Sequence, residues 1–243
     1  MRLPEKLAAL TEGYGFQRHP YEETGAEIHR LTAEGRETLY LKVYSVRGRR
    51  LERETRVLRW IDGRLPAPKP LLYMAEGWWE IQLTTEVPGT PVHQVEGSER
   101  VNAVRAAAEA LRAIHGLDPR GCPYMNTVAN RIGEARKSKA PETHRALDGL
   151  EASIPDEELV FTHGDCCLPN IILEGGALSG VIDWDHAGIG DTYADLEACM
   201  WSMGYNYGGD AEYLTPLFLR EYGIEELDEA KLEWYARLSD YTP

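Results

Sequence analysis

The stretch LVFTHGDCCLPNIIL, residues 159–173, places a polar loop between two apolar runs. Short apolar runs bounded by polar turns predict β-strands. Asp165 and Asn170 lie in the loop, and Asp183 ends the next apolar run, after an EGG segment that suits a hairpin turn. The pattern therefore raises the question of what two carboxylates and one amide do together at these strand ends.

The amino-acid composition of the chain limits the classes of function that it can have. The 243 residues are 43% hydrophobic and 27% charged, which is ordinary for a globular protein of one large or two modest domains. Lys and Arg total 26 against 40 Asp and Glu, a formal net charge of -14. Such a field repels phosphates, which argues against a general binder of nucleic acids or anionic membranes. A cationic substrate would be attracted, although acidity by itself is usually only a solubility property.

The amino-terminal segment and the cysteines are typical of a cytoplasmic protein. Glutamates interrupt MRLPEKLAALTEGYG, which argues against a signal peptide, and no uninterrupted apolar stretch could span a bilayer. The four cysteines form no CxxC pair and are expected to be free thiols. A zinc site is an alternative, but adjacent cysteines rarely both ligate one tetrahedral ion. Its ligands would be Cys166, Cys167, His163 and His186.

The first third of the chain mixes strand and helix patterns. ETLYLKVYS, residues 37–45, alternates two sets of side chains with the period of a strand. Residues 49–70 predict a helix that Gly63 and three prolines stop. WEIQLTTEV, residues 79–87, predicts another strand.

A PGTP break at residues 88–91 is the best candidate for a domain boundary. It divides the chain into predicted domains of residues 1–88 and 89–243. Beyond the break, Ser98 is expected to cap a strong helix with apolar residues at helical spacing, and Gly116 is expected to close that helix.

One charged residue falls on the apolar face of the early helix. At about 100 degrees per residue, Glu54 lies among the leucine and isoleucine side chains that should face the core. A carboxylate buried there needs a cation, because an unpaired one would cost several kcal/mol or become protonated. Lys42 on the preceding strand is the natural partner. The alternative, in which Glu54 reaches solvent and Lys42 is a solvated strand lysine, stays open.

These features form an ordered set: a strand lysine, a glutamate on the next helix, a break, an HxD-x4-N loop and a later aspartate. In this set the chain resembles the aminoglycoside phosphotransferases, in particular the 3'-phosphotransferase branch, and more distantly the protein kinases. VFTHGDCCLPNIILEGGALSGVIDWDHAGIGDTYADLE, residues 160–197, looks like that family's catalytic loop, metal-binding aspartate and following helix. Residues 51–71 resemble its first helix, and the resemblance covers nearly the whole chain.

The resemblance implies a two-lobed, protein-kinase-like α+β fold, with a small amino-terminal sheet lobe, a larger and mainly helical carboxy-terminal lobe, and ATP in the cleft. Asp165 would accept or orient the proton of the substrate hydroxyl, since phosphoryl transfer depends on positioning and charge. Asn170 and Asp183 would hold Mg²⁺ against the phosphates, because both offer hard oxygen ligands. Lys42, held by Glu54, would contact the α- and β-phosphates.

Further nucleotide contacts are implied by the same resemblance. Thr24 lies in EETGAE, the nearest equivalent to a phosphate loop, since the chain has no GxGxxG. Tyr40 could stack against adenine, and the backbone around Thr85 and Val87 would hydrogen-bond to it.

The expected substrate contacts come from the end of the chain and from the segment after Asp183. Asp240 corresponds to the family's acidic tail, and Asp185 and His186 are weaker candidates. The segment between residues 126 and 158 is shorter than the acidic insertion of the 3'-phosphotransferases, and His186 stands where arginine is common in them. These departures from the family pattern bear on which substrate is expected and leave the expected reaction unchanged.

Three polar residues near the loop are expected to have structural roles. His163 should support the loop rather than act as a base, because an aspartate already has that role in this kind of site. Asp191 and Asp195 should cap and brace the helix that begins near residue 192, with Asp195 tying down the loop.

We therefore expect an ATP-dependent, magnesium-requiring kinase of an aminoglycoside hydroxyl, first of all the 3'-hydroxyl, which confers antibiotic resistance in the cytoplasm. A kinase of another small hydroxylated compound, such as a macrolide, a sugar amine or a metabolite, is the main alternative. A catalytically silent nucleotide-binding module is the third possibility, and the complete set of site residues argues against it. The sequence leaves open ATP against GTP use, and the oligomeric state.

Overall fold

The amino-terminal part of the chain is built on a five-stranded antiparallel sheet, which a short helix, α1 (Glu5–Leu10), precedes. The computed structural model of the protein describes residues 4–19, 26–44, 50–77 and 79–242. The strands are β1 (Gly15–Arg18), β2 (Ala26–Thr32), β3 (Leu39–Tyr44), β4 (Pro70–Glu76) and β5 (Trp79–Thr85), in the spatial order β1-β2-β3-β5-β4. The third strand, which carries Lys42, therefore lies at the centre of the sheet.

The two faces of β3 pack against different partners, as its alternating sequence predicts. Leu39 and Leu41 are buried together with Leu31 of β2 on one face. Tyr44, on the other face, packs against Leu51. Because both faces carry buried apolar side chains, each worth about 1.5–3 kcal/mol of transfer free energy, the register of β3 is strongly specified.

Helix α2 (Arg50–Ile61) packs on the sheet and carries one carboxylate inward, as predicted. Leu58 and Ile61 are buried on its inner face, and Glu54 on the same side is only 3% exposed. The helix ends just before Gly63, whose φ of 71° lies in the left-handed region that favours glycine.

The remainder of the chain is mainly helical and contains three short strand pairings. Within the described residues, no helix combines the length and the apolar character that crossing a lipid bilayer requires. The strands are β6 (Thr90–Pro91), β7 (Leu159–Thr162), β8 (Ile171–Glu174), β9 (Ala177–Val181) and β10 (Gly188–Asp191). The helices are α3 (Glu99–His115), α4 (Val128–Ser138), α5 (His144–Glu151), α6 (Thr192–Tyr207), α7 (Ala211–Tyr222) and α8 (Glu229–Ser239).

Helix α3 lies in the middle of the largest apolar cluster. Val104, Ala107 and Leu111 of this helix have no exposed surface, and the same cluster contains Trp184 and Leu58 of α2. Helix α2 thus inserts into the core of the helical part. The first predicted domain therefore contributes α2 to this cluster, while the leucines of its sheet form a cluster of their own.

The start of α3 corrects one prediction. Ser98 precedes the helix, but its side chain makes no capping hydrogen bond. Its backbone already has helical angles, φ -64° and ψ -23°, whereas a capping serine needs an extended backbone to turn its hydroxyl towards the first free N–H groups. The predicted end is confirmed, because the N–H of Gly116 donates to the carbonyl of Arg112.

The strand pair that follows the polar loop has the predicted hairpin turn. Strands β8 and β9 form an antiparallel hairpin. Gly175 and Gly176 make its turn with φ values of 59° and 83°. Strand β7 pairs with β10 instead, with Thr162 opposite Gly188. The loop between β7 and β8 is therefore held between two separate pairs of strands.

The connection between the sheet and the helical part runs close against β8. Strand β6 pairs with β8, so that Thr90 lies opposite Leu173. At Gly89, with φ 128°, a β-carbon would lie 2.2 Å from the carbonyl oxygen of Leu173. Only glycine fits such an approach. The boundary predicted between residues 88 and 89 falls in this connection, and as a domain limit it stays a prediction.

Candidate active site

The loop between β7 and β8 is fixed by one buried carboxylate. Asp195, in the first turn of α6, has no exposed surface, and accepts hydrogen bonds at 2.7 Å from the backbone N–H groups of His163 and Gly164. Nε2 of His115 on α3 lies 3.0 Å from Oδ2 of Asp195. Burial opposes the charge of Asp195, but these hydrogen bonds and the imidazole of His115 outweigh it and lower the pKa of Asp195. The predicted bracing role of Asp195 is confirmed.

The predicted capping role of Asp191 is also confirmed. Asp191 has extended backbone angles, and its side chain accepts a hydrogen bond from the N–H of Tyr193 at 2.8 Å. It therefore caps α6 and fixes the helix end that presents Asp195 to the loop.

His163 supports the loop from inside the protein. Its side chain is fully buried, and Nε2 lies 2.9 Å from the carbonyl oxygen of Ile182. Its ring centroid is 4.5 Å from that of the buried Trp184. This position suits the structural role predicted for His163.

The carboxylate of Asp165 is oriented by two donors from its own loop. The thiol of Cys167 lies 3.0 Å from Oδ1, and Nδ2 of Asn170 lies 3.3 Å from Oδ2. Nδ2 of Asn170 also donates to the backbone carbonyl of Asp165 at 2.9 Å. Asn170 therefore fixes both the backbone and the side chain of Asp165.

A glycine lets this loop approach the segment after β9. Gly164 has φ 86°, and a β-carbon on it would lie 2.3 Å from the carbonyl oxygen of His186. A larger residue would push the loop away from that segment. The close contact fixes Asp165 relative to Asp183.

Asp183 has a rare backbone conformation. Its φ of 61° makes it the one residue other than glycine with positive φ in the described ranges. Trp184, fully buried, donates from Nε1 to the carbonyl of Val181 at 2.7 Å and anchors the turn. The turn directs the carboxylate of Asp183 towards β3, where Oδ1 lies 2.5 Å from Nζ of Lys42.

The predicted pair of Lys42 and Glu54 is present. Nζ of Lys42 lies 3.1 Å from Oε1 and 3.2 Å from Oε2 of Glu54. Burial alone would lower the pKa of Lys42, but the carboxylates of Asp183 and Glu54 outweigh it and raise that pKa. Burial raises the pKa of Glu54, against the opposing effect of Lys42. The charge of Lys42 lowers the pKa of Asp183 and keeps that carboxylate ionised.

The donor atoms of this site suit Mg²⁺. Within the part of the chain that the structure describes, both side-chain hydrogen bonds of Asn170 use Nδ2, which leaves the amide oxygen for a ligand, and the side chain of Asp183 is 48% exposed. Among the described residues, no three His, Cys, Asp or Glu side chains form a complete metal cage. Magnesium usually keeps waters and binds through one or two protein oxygens plus substrate phosphates, so an incomplete set is the expected one.

The residues predicted to contact the nucleotide base lie on adjacent strands. Tyr40 on β3 is half-buried and lies opposite Thr84 on β5, the residue before Thr85. The N–H of Thr85 donates to the carbonyl of Lys69 at 3.1 Å, and the Thr85 hydroxyl accepts a hydrogen bond from the N–H of Lys69 at 3.0 Å. Val87 follows in the connection to the helical part. Thr24 lies outside the described residues.

A cavity of about 590 Å³ opens beside Asp165. Helices α4, α6 and α8 supply most of its walls. Its charged lining residues are Arg131, Asp165, Glu197, Glu233, Arg237 and Asp240. Four carboxylates against two guanidinium groups make the lining net acidic, which suits a cationic ligand.

The three predicted substrate residues lie at different places. Asp240 lines the large cavity with Asp165. His186 lines a neighbouring space of about 20 Å³ with Arg131 and Gly164. Asp185 lines neither space within the described chain, and its Oδ1 lies 3.4 Å from Nε2 of His186.

Two further cavity residues on α6, Glu197 and Trp201, were not predicted from the sequence. They are four positions apart and therefore share one face of the helix. Their positions after the helix cap at Asp191 were the feature of the sequence that could have identified them.

Comparisons with known proteins agree with this geometry. Residues 24–235 match the phosphotransferase enzyme family, APH. An aminoglycoside 3'-phosphotransferase from Niallia circulans is 34% identical, over 98% of this chain and 97% of the relative. A streptomycin 3''-kinase from Streptomyces griseus is 27% identical, over 90% of this chain and 89% of the relative.

The fold is also that of a solved relative. The aminoglycoside phosphotransferase APH(3'')-Id from Streptomyces rimosus superimposes with a TM-score of 0.83 at 25% identity, over 97% of this chain and 96% of that one. The predicted kinase-like α+β fold is confirmed. Because the family match spans most of the chain, the chain belongs to the phosphotransferase enzyme family and is a small-molecule kinase of the aminoglycoside phosphotransferase type.

Proposed function

We propose that the protein transfers the γ-phosphate of ATP to a hydroxyl of an aminoglycoside antibiotic and thereby confers resistance. The observation that carries this proposal is the shared cavity of Asp165 with Glu197, Glu233 and Asp240. Aminoglycosides carry several ammonium groups among their hydroxyls. An acidic cavity next to a carboxylate that can accept a hydroxyl proton suits such a substrate.

The nucleotide would lie between a lobe of residues 1–88 and a lobe of residues 89–243. Lys42 would bind the α- and β-phosphates, since Glu54 and Asp183 hold its ammonium group at the centre of the sheet. The Thr85 carbonyl and the backbone of Val87 would hold adenine, and Tyr40 would cover its face. Thr24 would contribute to the phosphate loop.

The transfer itself needs little covalent work from the protein. The acceptor oxygen forms a bond to the γ-phosphorus as the bond from that phosphorus to the bridging oxygen of ADP breaks. The hydroxyl proton passes to the carboxylate of Asp165, whose two oxygens are already oriented by Cys167 and Asn170. Mg²⁺, held by Asn170 and Asp183, would neutralise the charge that develops on the phosphates.

The acceptor would bind with its amines towards the acidic lining, where Asp240 is a predicted contact. His186 lines a small neighbouring space, so His186 and the adjacent Asp185 would contact the acceptor only at the edge of the cavity. The name of the Niallia circulans relative favours the 3'-hydroxyl. The names of the Streptomyces relatives support a 3''-hydroxyl as the second candidate. As a consumer of ATP with four free cysteines, the protein would act in the cytoplasm.

An acceptor panel tests the proposal. Purified protein with ATP and Mg²⁺ is incubated with kanamycin, neomycin, streptomycin, a macrolide and a neutral sugar, and ADP release and the phosphorylated product are measured. We expect turnover of at least one aminoglycoside, and product analysis identifies the hydroxyl. Turnover of only the macrolide or the neutral sugar would replace this function by that of another small-molecule kinase. ATP binding without turnover of any acceptor would favour a catalytically silent nucleotide-binding module.

A further inference from the structure

Helix α6 exposes two stacked aromatic rings at the cavity. Trp201 is 58% exposed and Tyr205 is 76% exposed. Their ring centroids are 5.3 Å apart and the planes differ by 11°, so the rings lie nearly parallel. Trp201 also lines the cavity that contains Asp165. Water contacts most of this indole although a large apolar core was available to bury it, and an aromatic surface of this kind often marks a binding site.

One turn earlier, the same face of α6 carries a buried carboxylate. Glu197 is 9% exposed and lines the same cavity. Its Oε2 accepts a hydrogen bond from the hydroxyl of Ser239 at 2.9 Å, the single hydrogen bond of this side chain within the described residues. Burial raises the pKa of Glu197, and the Ser239 hydroxyl and the charge of Arg131 in the wall of the same cavity offset this effect only in part. A cation in the cavity would complete its pairing.

We propose that Glu197 and Trp201 form a subsite for an amino-substituted ring of the acceptor, an inference that rests on the proposed function. The ammonium group binds Glu197, and the ring that carries it stacks on the indole of Trp201. Tyr205 lies against Trp201 and restricts the indole. An ammonium group near an indole face also gains from the ring quadrupole, so the two contacts favour the same ligand.

The subsite positions the acceptor relative to the reacting atoms. Asp165 lines the same cavity, so a ring fixed against α6 presents its neighbouring hydroxyls to that carboxylate. Contacts of this kind are made in both the ground state and the transition state. Their loss therefore raises KM for the acceptor more than it lowers kcat.

The test compares full-length variants with a matched aromatic control. Trp201→Ala should raise KM for kanamycin or streptomycin by about 10-fold and leave KM for ATP unchanged, whereas Trp201→Phe should restore most of the loss. Tyr213→Ala removes another exposed aromatic, 52% exposed on α7 and outside the cavity lining, and should behave as wild type. Calorimetric titration of the same antibiotics into each variant with ADP present should follow the KM values.

A double-mutant cycle tests whether Glu197 and Trp201 contact one bound ring or act independently. Glu197→Gln and Trp201→Ala should be non-additive in acceptor binding, because both side chains would contact one ring. Wild-type turnover of an aminoglycoside with unchanged KM in Trp201→Ala would overturn the subsite and leave the proposed function intact. If wild type neither binds nor phosphorylates kanamycin, neomycin or streptomycin, the proposed function and the subsite both fail. Thermal melts identify any variant that does not fold. If Trp201→Ala does not fold, the acceptor KM of Trp201→Phe is compared with that of wild type instead.

Discussion

Glu54 accepts a hydrogen bond from Lys42 at 3.1 Å, although the two residues belong to a helix and a strand that meet only in the folded protein. The pair is more than a surface contact, because Glu54 is almost completely buried. Removing Lys42 would leave Glu54 without its cation in the interior, whereas removing Glu54 would leave Lys42 paired with Asp183 alone.

The first prediction concerns this pair. Lys42→Ala and Glu54→Ala should each lower kcat/KM for ATP strongly, and the double variant should be little worse than either single variant. Nucleotide kinetics and urea unfolding of the four proteins measure the coupling. Simple additivity in both measurements would mean that the two side chains act independently.

A second prediction concerns the proton acceptor. Asp165→Asn should lower kcat by about 100-fold or more while the Kd for ATP stays close to wild type, since the change removes a proton acceptor and keeps the shape. Single-turnover kinetics and calorimetry provide the two values. Glu109→Gln, an exposed acid on α3, is the control and should retain full activity. Comparable turnover in Asp165→Asn would remove Asp165 from the mechanism.

The third prediction uses two glycines with opposite surroundings. Gly164→Ala should lower both the melting temperature and kcat, because its φ is positive and the new methyl group would meet the carbonyl of His186 at 2.3 Å. Gly204→Ala on α6, where no atom lies within 4 Å, should stabilise the protein by about 0.5–1 kcal/mol. Scanning calorimetry of both variants measures the contrast. If Gly164→Ala melted at the same temperature as wild type, the loop would be able to shift without a cost in stability.

The fourth prediction concerns acid stability. The folded-state pKa of Asp195 lies below its ordinary value of 3.8, so its contribution is fully present above that value and is lost as the pH falls through the folded pKa. Asp195→Asn should cost about 2–4 kcal/mol at pH 7, and the difference from wild type should shrink below about pH 4. Urea unfolding from pH 7 to pH 3.5 measures this.

A surface aspartate is the control for that experiment. The side chain of Asp148 is 63% exposed and pairs with Arg136. Asp148→Asn should change stability by less than about 0.5 kcal/mol at pH 7. A similar loss in both variants would mean that the hydrogen bonds to the loop contribute little.

The fifth prediction concerns salt. Raising the ionic strength from about 0.05 to 0.5 M shortens the Debye length from roughly 14 to 4 Å and should raise KM for an aminoglycoside more than KM for ATP. Asp240→Asn should raise the acceptor KM and keep kcat near wild type, because Asp240 lines the cavity and its charge would bind ground and transition states alike. An acceptor KM that is insensitive to salt would argue against ammonium recognition.

The sequence predicted the parts of the site that follow from local patterns. Helical periodicity placed Glu54 on the buried face, and strand alternation placed Lys42 opposite the leucine cluster. The polar loop between two apolar runs located Asp165 and Asn170. These residues could be found because each sits at a position that its own strand, helix or turn defines.

The remaining parts depend on tertiary packing. His115 reaches Asp195 from a helix far away in the chain, and no local pattern connects the two residues. The exposure of Trp201 depends on which elements cover α6. The capping prediction for Ser98 was wrong because the preceding turn continues directly into the helix. Such features are set by the arrangement of elements rather than by their sequences.

The left-handed backbone of Asp183 is strained, whereas the site needs the carboxylate that this residue supplies. Glycine and asparagine adopt that conformation at lower cost, yet neither supplies the negative charge that pairs with Lys42. Any substitution that relieves the backbone here therefore also removes a charge that pairs with Lys42, so evolution under antibiotic pressure should retain aspartate together with its strain.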